Sequence, residues 1–179
     1  MTCRPATPDD ADGIAQLHAE SWRAAYRGSY PDAYLDGEVW EDRRTVWRER
    51  LGAEDARRFV LLAKDGDTLA GFICVYAQED AEWGSLVDNL HVAPGRHRSG
   101  IGRLLMREGA RWLQEWYPGV GVYLGVLEAN DNARRFYERL AGRNEGATEK
   151  ETPGGGTASI CRYVWESPAA LLRAASEEP

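Results

Sequence analysis

The sequence predicts a mixed α/β domain: one sheet with helices packed against it. Three observations carry that prediction. Apolar or alternating runs of strand length recur between segments with helical periodicity. Taken in order they read β-α-α-β-β-β-α-β-α-β-β, the pattern of a single layered sheet-and-helix domain. Within that order the strand at 85–92, the helix at 101–116 and the strand at 120–127 have the length of a crossover unit, so these two strands are expected to run parallel. The 179 residues fit one compact domain, assigned to residues 1–166, with a tail over 167–179.

Residues 2–5 form a short first strand. Thr7-Pro8-Asp9-Asp10 marks a helix start, with Thr7 as N-cap, Pro8 at the first position and acids in the first turn. Ile14, Leu17 and His18 continue at helical spacing to about Tyr26. Pro31 breaks this helix and opens a second helical region, where Tyr34, Leu35, Trp40 and Val46-Trp47 alternate with charge. Phe59–Ala63 is a strand, Lys64-Asp65-Gly66-Asp67 a hairpin turn centred on Asp-Gly, and Leu69–Tyr76 the antiparallel partner. The acidic run from Glu79 to Glu82 reads as a loop. Ser85–Val92 alternates, with Leu86, Asp88, Leu90 and Val92 on one face and Val87, Asn89 and His91 on the other. Ile101, Leu104, Leu105, Trp112, Leu113 and Trp116 give a strongly periodic helix, ended by Pro118-Gly119. Val120–Leu127 is an apolar strand. Ala133, Phe136, Tyr137 and Leu140 form the stripe of another helix ending near Gly142. Two last strands, at 143–150 and 158–165, are joined by Gly154-Gly155-Gly156, and the tail from Pro168 reads as frayed or weakly helical.

Composition removes several function classes. At 43% apolar and 28% charged residues the chain is of ordinary globular type. No run approaches the ~18 apolar residues of a membrane span. The first residues lack the basic-then-apolar pattern of a signal peptide, so a cytoplasmic location is expected. Cys3, Cys74 and Cys161 are odd in number and widely spaced, which argues against a disulfide framework and against a metal site. The net charge is −7, whereas nucleic-acid binders normally carry a basic surplus; a small-molecule ligand is expected, with no nucleic acid and no membrane as partner.

The informative segment is Val92-Ala-Pro-Gly-Arg-His-Arg-Ser-Gly-Ile-Gly-Arg103. A loop that leaves a strand and opens a helix directs successive main-chain N–H groups into one concavity. The helix N-terminus adds partial positive charge there, and glycines permit close approach. With Arg96, Arg98 and Arg103 beside it, the segment predicts a phosphate or pyrophosphate cradle. It is not a Walker A loop, because Ile101-Gly102 stands where Lys-Ser/Thr is required. Nor is it a dinucleotide fingerprint, because Leu105 stands at the third glycine. For the glycines alone, tight helix–sheet packing is the competing reading.

Two linked segments decide between these readings. The strand Leu90-His91-Val92, the loop His97-Arg98-Ser99-Gly100-Ile101-Gly102 and the long helix after it resemble motif A of the GNAT superfamily of acyl-CoA N-acyltransferases, usually written Q/R-x-x-G-x-G/A. Further on, Val126-Leu-Glu-Ala-Asn130-Asp-Asn-Ala133-Arg-Arg-Phe136-Tyr137 resembles its motif B, V-x-x-x-N-x-x-A-x-x-F-Y. Gly71-Phe72 and Glu20-Ser21-Trp22 are also similar to the family's pattern, and the resemblance spans about residues 2–165. One departure stands out: His97 occupies the usual Gln/Arg position.

The resemblance implies a mostly antiparallel sheet with helices on both faces and a splay between two central parallel strands. It implies an N-acetyltransferase that moves an acetyl group from acetyl-CoA to a primary amine by direct attack on the thioester, through a tetrahedral intermediate. The coenzyme A diphosphate would sit on His97, Arg98, Ser99, Gly100, Ile101, Gly102 and Arg103. The pantetheine arm would run along Leu90, His91 and Val92, with Asn130, Ala133 and Phe136 beside it. Tyr137 matches the family's usual general acid, although by spacing alone it reads as a core aromatic. Asn130 reads equally as a helix N-cap. Asp88 is the candidate base, on the expectation that a carboxyl buried among apolar neighbours has a raised pKa; Glu82 is a weaker one. The side chain of His91 reads as structural.

Trp22, Tyr26, Tyr30 and Tyr34 recur every four residues, and the resemblance places the acceptor pocket partly on these helices. Beside Asp36 and Glu38 they would suit an ammonium-bearing small molecule or peptide; core packing is the competing reading. Dimers are common in the resembled family, so a homodimer is one possible state, which the sequence leaves open. The alternative function is a catalytically silent acyl-CoA-binding or sensing module of the same fold.

Overall fold

The computed structural model describes residues 1–177 of the chain. The elements are β1 (Thr2–Pro5), α1 (Ala11–Ala25, entered through a 3-10 turn at Pro8–Asp10), α2 (Asp32–Asp36), α3 (Val39–Gly52), β2 (Arg58–Asp65), β3 (Thr68–Asp80), β4 (Gly84–Val92), α4 (Ile101–Trp116), β5 (Val122–Leu127), α5 (Asp131–Arg139), β6 (Arg143–Glu151), β7 (Thr157–Trp165) and α6 (Pro168–Ser176). The seven strands form one sheet in the order β1-β2-β3-β4-β5-β7-β6. All neighbours are antiparallel except β4 and β5, the crossover pair joined through α4.

Two apolar layers hold the sheet between helices. On one face Ile101, Leu105, Met106 and Leu113 of α4, with Tyr137 and Leu140 from the α5 segment, pack on Ile73, Val75, Val87, Leu124 and Val126. On the other, Ile14, Ala15 and Leu17 of α1 and Trp47 of α3 pack on Val60, Leu62, Phe72 and Cys74. Each of these fully buried side chains contributes roughly 1.5–3 kcal/mol relative to exposure.

The parallel pair is short. β4 and β5 meet only at Ser85↔Val122 and Leu86↔Tyr123 and then separate. Gly84 and Gly121 pin the closed end: a Cβ on Gly84, whose φ is +86°, would lie 2.2 Å from the Gly121 carbonyl oxygen. With both side chains absent, the Ser85 N–H reaches that oxygen at 2.8 Å. Beyond Leu86, β4 is paired only with β3, and β5 only with β7. The right-handed twist that separates strands in any sheet is thus left uncorrected over the rest of their length.

Several local expectations change. The second helical region is two helices, because Gly37 interrupts it between Asp36 and Val39. Glu79 and Asp80 belong to β3, leaving only residues 81–83 as the turn. Strict alternation along β4 fails at a bulge: Cys74 pairs with Asn89 but Val75 with Val87, so Asp88 is the extra residue. Val87 therefore joins the α4-side core, while Asp88 and Asn89 both reach Arg50 of α3. The tail is an ordered helix. Ser167 caps α6 by accepting from the Ala170 N–H, and Leu171 and Ala175 enter the α4-side core. Its i, i+4 apolar pair was too short a signal to read as an amphipathic helix.

Candidate active site

A cavity of about 1150 Å³ runs from the loop before α4, through the gap between β4 and β5, to the side walled by α1 and α3. That exceeds the roughly 300–1,000 Å³ that one drug-sized ligand occupies, and it suits two ligands meeting in the gap.

At the loop end the surface is main chain. Gly100 is the N-cap of α4 in the left-handed conformation, φ +82°, and no side chain caps the helix. The first N–H groups of α4 thus lack side-chain partners and carry the positive end of the helix dipole. A Cβ on Gly100 would meet nothing within 4 Å, so the glycine serves the turn rather than packing. Gly102 does the reverse: its Cβ would stand 3.3 Å from Phe136 and 3.8 Å from Val92, so here the packing reading holds. His97, Arg98 and Ser99 are exposed, and Ser99 Oγ donates to the Arg96 carbonyl at 2.6 Å. Two of the arginines expected to add charge are engaged elsewhere. Arg96 pairs with Asp65 at 2.7 Å, and Arg103 donates to the carbonyls of Ala174 and Glu177 at the end of α6. Arg98 has no carboxylate partner among the described residues.

In the gap, the Ala93 N–H donates to the Ala70 carbonyl on β3 at 2.9 Å. Donors alternate along an antiparallel strand, so the Val92 and Leu90 N–H groups point the other way, toward β5. Tyr137 projects from α5 into the same space. Its side chain is 8% exposed and lines the cavity, packed against Phe136, Tyr163 and Trp165. Burial alone raises its phenol pKa well above the ordinary value, so it stays protonated at neutral pH. Asn130 caps α5, its Oδ1 accepting from the Ala133 N–H at 3.1 Å, and it lines the cavity as well.

At the far end Asp88 is half-buried, but not among apolar neighbours. Arg50 Nη1 donates to its Oδ2 at 2.6 Å and to Asn89 Oδ1 at 2.9 Å. The apolar surroundings expected of this carboxyl are therefore absent. Glu82 lies exposed on the β3–β4 turn, outside the cavity lining. His91 lines the cavity on the α1 side; burial, with the Arg43 charge second, pushes its pKa down to about 3, so it is neutral. Its ring lies 4.4 Å from that of His18, which is fully buried and accepts from Trp47 Nε1 at 3.0 Å.

The four aromatics divide. Trp22 and Tyr34 are core residues; Tyr26 and Tyr30 are half-buried and, with one edge of Trp22, line the cavity. Trp22 stacks on Tyr26 at 5.3 Å, and Tyr30 closes the cluster 5.0 Å from Tyr26. Asp36 is exposed and tied to Arg27, and neither it nor Glu38 lines the cavity. In their place stand Arg43 and Arg50, which the sequence reading missed. The signal was available in the spacing: Arg43, Trp47 and Arg50 fall at i, i+4 and i+7, two cations on the buried stripe of a helix whose centre is fully enclosed.

A model of the acetyltransferase (GNAT) family matches residues 19–142. The chain belongs to the GNAT family. Among curated relatives, an uncharacterized N-acetyltransferase of Bacillus subtilis, YuaI, is 27% identical over 134 residues, 73% of each chain. Streptothricin acetyltransferase of Streptomyces lavendulae is 38% identical over 89 residues, 48% of this chain and 44% of its own. Among solved structures, the PaiA N-acetyltransferase of Thermoplasma acidophilum in complex with coenzyme A superposes with a TM-score of 0.68 at 20% identity, covering 92% of this chain and all of that one. A YncA acetyltransferase of Salmonella typhimurium with acetyl-CoA gives 0.66 at 16% identity, covering 93% of each. This GNAT chain is accordingly an acetyltransferase with the family's fold, and no helix among its described residues is long and apolar enough to cross a membrane.

Proposed function

We propose that the protein transfers an acetyl group from acetyl-CoA to a primary amine by direct attack on the thioester. The observation that carries this reading is the β4–β5 gap, with Val92 N–H and the Tyr137 hydroxyl on its walls and the uncapped N-terminus of α4 at its mouth.

The α4 N–H groups, with Arg98 and His97 on the loop, hold the diphosphate. Because main chain supplies the grip, His97 in the Gln/Arg position is tolerated. The unpaired edge of β4 binds the pantetheine amides as a neighbouring strand would. Val92 N–H donates to the thioester oxygen and stabilises the negative charge that develops as the C–N bond forms. Tyr137 donates to the sulfur as the C–S bond breaks. Its raised pKa keeps the proton on the phenol until the thiolate appears. Asp88, held by Arg50, accepts the amine proton directly or through a water.

Calorimetry with acetyl-CoA, coenzyme A, ATP and NAD tests the donor. Acetyl-CoA at 100 times its dissociation constant is expected to stabilise the fold by about 2.7 kcal/mol. Tighter binding of ATP or NAD than of acetyl-CoA rejects the reading. Binding of acetyl-CoA with no transfer to any amine supports the silent module instead.

A further inference from the structure

The acceptor end of the cavity carries a set of hydrogen-bond donors with nothing to receive them. Arg43 sits on α3 with its side chain only 12% exposed. Its guanidinium carbon lies 4.4 Å from the centre of the Trp22 ring, and Nη2 donates to Asp42 Oδ2 at 2.9 Å. The Tyr34 hydroxyl donates to the same Asp42 oxygen, so the carboxylate and the indole together fix the orientation of the fork. That ion pair uses one of the five guanidinium donors. Nε is enclosed and has no partner, and Ser21 Oγ, one helix away on α1, is likewise enclosed and unpartnered. Both residues line the cavity, as do Tyr26 and Tyr30. Burial raises both phenols, so their hydroxyls are donors at neutral pH, and both rings pack on Trp22, the indole that Arg43 covers.

Arg43 Nε and Ser21 Oγ are enclosed behind the cavity wall, whereas the rest of the Arg43 fork and the Tyr26 and Tyr30 hydroxyls belong to residues that line it; donors left without a protein acceptor on one cavity wall call for an acceptor from a ligand. We propose that this end of the cavity receives a carboxylate carried by the acceptor, so that the substrate class is an amino acid or another amine bearing a carboxylate, with Arg43 as its specificity-determining residue. The proposal rests on the acetyltransferase reading above. The carboxylate complements the planar guanidinium fork, and Tyr26 and Tyr30 stand on the same wall with hydroxyls that can donate to it. A phosphate dianion is disfavoured, because the second arginine at this end, Arg50, is already neutralised by Asp88. A polyamine is disfavoured more strongly, because it would set cation against cation. With the carboxylate held against α1 and α3, the amine of the same molecule points toward Asp88 and the β4–β5 gap.

The test uses the full chain and matched acceptors: amino acids, their primary amides, and the corresponding aminophosphonates. Thiol release from acetyl-CoA measures transfer, and calorimetry on the coenzyme A complex measures binding. The expected result is at least one amino acid with a kcat/KM 30-fold or more above that of its amide. Arg43→Gln is expected to bring the two within threefold through KM, with kcat and acetyl-CoA affinity retained, and Arg43→Lys to restore part of the preference. If Arg43→Gln does not fold, Tyr26→Phe carries the test, with KM for the acid raised several-fold and KM for the amide unchanged. Amides used as well as acids, aminophosphonates preferred tenfold, or an acid preference that survives Arg43→Gln overturns the proposal. So does the absence of both turnover and binding for every amino acid in a protein that binds acetyl-CoA normally, an outcome that leaves the acetyltransferase reading standing. Failure to bind acetyl-CoA overturns that reading and this one with it.

Discussion

At the α4 end of the cavity the groups that face a ligand are main-chain N–H donors, set by left-handed residues at Gly95, Arg98 and Gly100 and a helix start within a dozen residues of chain. At the α1–α3 end they are side chains, Arg43, Tyr26, Tyr30, Ser21, Asp88 and His91, drawn from α1 and the segment after it, α3 and β4, up to 70 residues apart. Main chain cannot change identity by substitution, so the donor end is generic and local. Side chains can, so the acceptor end is the part free to vary on a shared fold. The gap between β4 and β5 joins the two, and it too is a backbone feature, fixed by two glycines in contact.

If that division is right, the largest single effect is on the fold at the joint. Gly84→Ala puts a methyl group 2.2 Å from a main-chain oxygen that belongs to the opposite strand, and neither strand can yield without losing the pair. A loss of at least about 4 kcal/mol is expected in urea unfolding, among the most severe for a one-carbon change. A loss under 1 kcal/mol would mean that the glycine contact does not hold the gap.

The next largest effect belongs to Tyr137, the side chain proposed as general acid in the gap. Tyr137→Phe is expected to lower kcat by roughly 10²–10³-fold, within the range for a lost general acid. Calorimetry should find acetyl-CoA affinity within about threefold of the parent, since the binding surface is main chain. An unchanged kcat removes Tyr137 from the mechanism and returns it to the core it packs in.

Gly100→Ala sharpens the comparison from the donor side. There is space for the methyl group, so the penalty is conformational alone, about 1–2 kcal/mol for the left-handed region. Acetyl-CoA affinity should fall roughly tenfold, while affinity for the acceptor is untouched. A fall in both affinities would show that the two ends are not independent.

The smallest effect concerns the acceptor wall in the absence of ligand. His91 and His18 both have pKa values lowered by burial, that of His91 to about 3. Below pH 6.5 the unfolded chain therefore takes up protons that the folded chain refuses. Stability is complete above that value and is lost as the pH falls. Between pH 6.5 and 5 each histidine is expected to remove roughly 1–2 kcal/mol. In urea unfolding at the two pH values, His91→Asn should reduce the loss by its own share. A loss identical to the parent's would show that the ring is solvated when folded.

Much of the donor end was legible because its signals are local. Gly100, the helix pattern of α4 and the run from Asn130 to Tyr137 each state a backbone requirement within one or two turns of chain. Asn130 illustrates how a residue serves two readings: it caps α5 and lines the cavity at once. Where spacing failed, a long-range contact had overridden it. Asp88 was placed on the apolar face of β4 by strict alternation, and a bulge against β3 turned it toward Arg50. Arg103 read as charge for the loop, but the end of α6 takes its guanidinium. Asp36 and Glu38 read as pocket acids from their nearness in sequence to the aromatics, yet the end of α2 and the start of α3 carry them to the surface.

The sequence by itself determined the order of elements, the crossover that makes β4 and β5 parallel, and the glycine turn into α4, because each follows from periodicity and backbone sterics over short stretches. That β4 and β5 part was implied by the resemblance; only the tertiary structure decided where, after two residue pairs. It also decided that Arg43 and Arg50 face the cavity in place of the expected carboxylates. Those outcomes depend on which side chain meets which across 30 or more residues of chain, and the free energy of such contacts has no counterpart in local pattern.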